Sequence, residues 1–110
     1  DFDDVPDEKY IVPPALTPER ELILTTFLGA YKTLSHTPTG HREMIIWLRE
    51  YYWLFLDQRT EPADDYFPFL ALCAWLEIHP DWIRGQVRRH IPPGIWDIIP
   101  TKLTHRVLGI

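Results

Sequence analysis

Apolar residues recur at helical spacing along most of this chain. Ile23, Leu24, Phe27, Leu28, Ala30, Tyr31 and Leu34 fall on one wide face, while Thr25, Thr26, Gly29, Lys32 and Thr33 fall on the other. Thr17 is a good N-cap for this segment, Pro18 suits the first helical position, and Glu19 and Glu21 put negative charge in the first turn. The pattern predicts a helix over 17–35, closed by the turn His36-Thr37-Pro38-Thr39-Gly40. A second long helix is predicted over 41–58. Projected at about 100° per residue, Met44, Leu48, Tyr51, Tyr52 and Phe55 form its core stripe, with Arg42, Arg49, Glu50 and Asp57 opposite. Ile46 and Trp53 sit among those polar residues. They mark either a helix enclosed on nearly all sides or a contact with a partner or a second copy of the chain.

A polar connection over 59–65 follows, in which Asp65 is placed to cap a third helix over 67–77. That helix turns Phe69, Leu72, Cys73 and Leu76 inward. After a tight turn at Glu77-Ile78-His79-Pro80, His79 caps and Pro80 opens a fourth helix over 81–90, with Ile83 and Val87 inward at helical spacing. Pro92-Pro93-Gly94 ends it. From Thr101 the tail has the β-branched alternation of a short strand, a last short helix being the other reading. Ile95, Trp96, Ile98 and Ile99 need cover from the bundle or from a second chain. The apolar end at Ile110 raises the expectation of a chain that continues past it. Residues 1–14, with five acids and three prolines, read as an extended acidic arm. The fold class is therefore all-α: one domain over 15–110, a small bundle of about four helices with an irregular or short-strand tail.

Composition adds less than charge does. At 110 residues the chain can enclose one core unaided. Five Trp, five Tyr and five Phe leave aromatic surface to spare for a partner. The single cysteine, Cys73, excludes an intrachain disulfide and, with no bilayer-length apolar run and no signal-like N-terminus, leads to the expectation of a cytoplasmic protein with no membrane partner. The net charge is −5, yet residues 81–110 hold five bases against two acids. An acidic chain with one basic face can still meet a polyanion locally, because fields decay over a Debye length of about 8–10 Å.

That basic region coincides with the two helices over 67–90, whose outline is a helix-turn-helix spanning 66–91. Leu72, Leu76, Ile78 and Ile83 occupy the apolar positions such a unit needs, and Cys73 the small one. Glu77 stands in the turn where glycine is usual, and Gly85 interrupts the second helix. In this arrangement Arg84 and Arg88 share a solvent face, flanked by Trp82 and Gln86, while Arg89 and His90 approach phosphate. The C-terminal half also resembles a group of small, largely uncharacterised bacterial and phage proteins. The resemblance rests on Tyr66-Phe67-Pro68-Phe69, Cys73, Leu76, Ile78, Pro80-Asp81, Ile83-Arg84 and Arg88-Arg89, and on the preceding helix with Trp47, Trp53 and the loop at Asp64-Asp65. It covers roughly residues 20–91, and departs at Glu77, His79 and Gly85. It implies a helix-turn-helix-like fold and a phage or mobile-element setting, without an established activity.

The expected function is DNA binding or transcription modulation. The alternative is a module that binds a host protein such as RNA polymerase through exposed aromatics and the acidic arm. Ile46 and Trp53 are then the partner-binding candidates, and a homodimer is a further option. The five histidines lack metal-site spacing, so no metal or cofactor is expected. Glu43, Glu50 and Asp57 recur every seven residues, about 10 Å apart on a helix, and read as a solvated face rather than a catalytic pair. With no phosphate-binding loop and a core-facing thiol, no enzymatic activity is expected.

Overall fold

A computed structural model describes residues 17–110; the acidic arm lies outside the described residues. Among them the chain forms six α-helices and no strand. Helix α1 spans Pro18–Leu34, and α2 spans His41–Tyr51 and continues as a π-helical turn over Tyr52–Leu56. Helices α3 (Phe69–Leu76) and α4 (Pro80–Arg88) follow, then the single turn α5 (Ile95–Ile98) and α6 (Thr101–Leu108).

Local chemistry sets these boundaries. Thr17 caps α1, its hydroxyl accepting from the Arg20 amide at 3.2 Å, and Pro18 opens the helix as expected. Before α2, the Glu43 carboxylate reaches back to the Thr39 amide at 2.9 Å, so this acid is a cap rather than a bystander. Asp65 does not cap α3. That position belongs to Pro68, because the chain first makes a small turn in which Ala63 and Tyr66 exchange backbone hydrogen bonds. His79 caps α4 by accepting from the Asp81 amide at 3.1 Å.

The core is centred on α2. Trp47, Leu48 and Leu54 meet Leu34 of α1, Phe69 and Cys73 of α3, and Ile83 and Val87 of α4. Trp47 is almost wholly buried, whereas Met44, Tyr51, Tyr52 and Phe55 are only half-buried. The core stripe is thus rotated from the projection. At Met44 and Trp47 the rotation precedes the π turn, which re-aims only the residues after Tyr51.

The tail is helical, which corrects the short-strand reading. Pro100 presets the start of α6, and Leu103 and Leu108 of that helix are buried. β-branched residues lower helix propensity by only tenths of a kcal/mol, about what one buried leucine outweighs. Helix α6 packs on α2, and Ile95 and Ile99 fill the space beside it. Trp96 closes that side edge-on to Trp47 and Tyr51, with centroids 5.5 and 5.1 Å away. The chain itself covers Ile95 and Ile99, while Trp96 and Ile98 keep exposed faces.

Candidate nucleic-acid interface

Helices α3 and α4 are joined through Glu77, Ile78 and His79. Phe69, Leu72, Cys73 and Leu76 are buried on α3, and Ile83 and Val87 on α4, so the inward faces are those the spacing predicts. Glu77 adopts φ 58°, ψ 42°, the left-handed conformation that a tight helix stop demands. Its amide donates to the Ala74 carbonyl, and the Ile78 amide donates to Cys73 at 2.9 Å. This paired closure satisfies two end carbonyls of α3. Ile78 then folds back against Leu72 and Leu76. Glycine is absent from the turn, yet the backbone takes the path a glycine would favour, at a cost of about 1 kcal/mol.

The arginines divide. Arg84 is turned inward, with a side chain only 16% exposed, which corrects the expectation that it shares a solvent face with Arg88. The reason lies in α2. After the π turn the chain leaves the helix at Asp57, whose ψ of 120° is extended, and the last carbonyls of α2 lack helical partners. Arg84 Nε donates to one of them, Leu54, at 2.7 Å. Its guanidinium lies 5.2 Å from the Phe69 ring centroid and 3.9 Å from the Asp81 carboxylate. A cation at a helix C-terminus is favoured by the helix dipole as well. Arg84 Nη2 is buried without a hydrogen-bond partner among the described residues.

Arg88 and Arg89 remain exposed. The Arg88 guanidinium lies 5.0 Å from the Phe55 ring centroid, a contact that steadies the head at the surface while the residue stays exposed. His90 is exposed beyond the helix end, edge-on to Tyr31 at 5.3 Å, with Nδ1 3.0 Å from the Gln86 carbonyl. Gln86 itself is half-buried. Trp82 is 63% exposed on the outward side, and Gly85 lies between it and Arg89 with open space where a Cβ would stand. The outward face of α4 is therefore Trp82, Gly85 and Arg89, edged by Arg88 and Asp81.

The two partner-binding candidates separate. Trp53 is half-buried, and its indole donates to the Phe67 carbonyl at 2.9 Å while Phe27 and Phe69 pack against its ring. Ile46 is 45% exposed and lines a cavity of about 300 Å³ with Lys32, His36 and Trp47, in which Trp53 takes no part. They do not form one surface.

Sequence reasoning missed Asp57. Counted with Glu43 and Glu50 on a solvated face, it is instead 1% exposed at the end of α2. Arg59 grips it with a fork, Nε at 2.9 Å and Nη2 at 3.0 Å, and adds its backbone amide. The Tyr66 hydroxyl donates to Oδ2, the oxygen that also accepts from Arg59 Nη2, and the Arg59 guanidinium covers the Tyr66 ring at 4.2 Å. Burial pushes this carboxyl up, but the bonds from Arg59 and Tyr66 outweigh it and hold the group at about 2. Glu50 differs again: it is half-buried, and burial pushes its carboxyl up. The repeat of seven carries three separate roles.

No protein-family model, curated protein or solved structure matches the chain.

Proposed function

We propose that this protein binds DNA through the outward and C-terminal parts of α4, with α3 and the left-handed turn at Glu77 acting as a helix-turn-helix. The observation that carries the reading is the division of the arginines. Arg84 is occupied in holding α4 to α2, while Arg88 and Arg89 project from a helix whose outward face is otherwise Trp82 and Gly85. The ion pairs among the described residues are Arg59–Asp57 and Arg84–Asp81, so neither exposed arginine has a carboxylate partner there. Gly85 leaves room for a close backbone approach, and Trp82 offers a flat apolar face beside it. In this reading Arg88, Arg89 and His90 meet phosphates, and Trp82, on the outward face beside Gly85, stands nearest the base edges, with the half-buried Gln86 set back from them.

Charge supports the placement. Residues 1–16 hold five acids and one base, so most of the net −5 belongs to the arm and not to the helical domain. The experiment is a salt series of affinities for mixed-sequence duplex DNA. Two phosphate contacts should give a salt slope that falls by about two units when Arg88 and Arg89 are replaced by Ala. A slope and affinity identical to the wild type would remove the two arginines from the interface.

A further inference from the structure

Between α1 and α3, with no residue of α4 in its lining, lies an open cleft of about 600 Å³. Ile23, Trp53 and Leu72 form its floor, and Leu22, Phe67 and Trp75 stand on its rims. The three rim side chains are 67%, 54% and 60% exposed. Large apolar groups kept in water around a concave floor are the composition of a protein interface, where aromatic anchors fill grooves. A small ligand would leave those rims uncovered.

Two features narrow the occupant. The first is length. Glu19, Leu22, Ile23 and Thr26 of α1 all line the cleft, a stretch of about two helical turns or roughly 10 Å. A helix laid alongside would present anchors at i, i+3 or i+4, and i+7 to such a wall. The second is charge. The charged lining is Glu19, Arg49 and Glu50, a net negative set. Glu50 is half-buried there and belongs to no ion pair among the described residues. Arg49 lines the same cleft but is not ion-paired with Glu50, and a half-buried carboxylate left in that state is matched by a cation brought by the occupant.

We infer that this cleft is the docking groove for an amphipathic helix of another protein, one that lays apolar side chains against Trp53, Leu72 and Trp75 and sets a Lys or Arg beside Glu50. The inference does not rest on the DNA reading, because the cleft and α4 share no residue. The probe is a synthetic amphipathic helix of leucine and lysine, about four turns long. Its controls carry glutamate in place of lysine, or the same composition with the leucines scattered. Binding is read from tryptophan fluorescence. The leucine–lysine helix should bind the full chain, and neither control should. Leu22→Asn and Trp75→Ala should each weaken binding by about tenfold, as loss of an anchor does. Glu50→Gln should weaken it by about fivefold without lowering thermal stability, since it removes an unpaired half-buried charge. Asp64→Asn, outside the cleft, should change nothing. Equal binding by all variants, or by the scattered peptide, would show general attraction to an acidic protein and overturn the proposal. So would binding that appears only after removal of residues 1–14, which assigns the cleft to the chain's own arm. Self-association of the wild type that Trp75→Ala abolishes would assign it to a second copy and equally overturn it.

Discussion

Asp57 shows how much one side chain can do at the end of a helix. Its carboxylate joins the close of α2 to Arg59 and Tyr66, and so fixes the loop that leads into α3. The folded carboxyl titrates at about 2 against an ordinary value of 3.8. A depressed carboxylate contributes stability above its unfolded value, and that contribution is lost as pH falls through the folded one. The wild type should therefore lose stability between about pH 4 and pH 2. Asp57→Asn should be less stable at neutral pH by about 1–3 kcal/mol, with a flatter acid limb, the two curves converging near pH 2. Urea melts across this range check it, and parallel acid limbs would count against it. Cys73 makes a second residue-scale case. It is buried, and burial pushes its thiol up to about 11. Thiol labelling at pH 8 should proceed only as fast as the protein opens, and Cys73→Leu should overpack the α3 contact by about 1–3 kcal/mol. Rapid labelling of the native protein would contradict this.

At the scale of elements, α4 has two kinds of arginine with opposite expected phenotypes. Arg84→Ala removes the donor to Leu54 and the cover over Phe69, and should destabilise the fold by about 1–3 kcal/mol. Arg88→Ala with Arg89→Ala should leave the melting temperature within about 2 °C, because neither side chain is buried. Thermal melts of the two variants separate the roles, and equal melting would contradict the division. The sequence could place α4 on its inward face through Ile83 and Val87, since apolar spacing reports burial directly. It could not say which arginine faces in. That depends on where α2 stops, and α2 stops in a π turn for which Tyr52-Trp53-Leu54-Phe55-Leu56 carries no local signal. The same limit explains Asp57, whose partners come from a loop that periodicity does not describe. The tail failed differently: Thr101, Thr104 and Val107 look like strand residues, but α6 exists because Leu103 and Leu108 have a core to enter.

Across the whole molecule, the chain sets two distinct surfaces around a core centred on α2. Helices α1 to α4 fall close to the spans expected from spacing and caps, and α2 is central as a helix apolar on nearly all sides should be. The basic outward face of α4 lies on one element, and the acidic-lined cleft between α1 and α3 on others. The cleft was not legible beforehand. Leu22 and Trp75 are unremarkable in sequence, and only the packing of α1 beside α3 makes them neighbours of Trp53. The most direct test of the central claim is amide and indole chemical-shift mapping on adding a mixed-sequence DNA duplex at low salt. The account predicts shifts at Trp82, Gly85, Arg88, Arg89 and His90, with Leu22, Trp53 and Trp75 unmoved. No shifts, or shifts confined to the cleft, would contradict it.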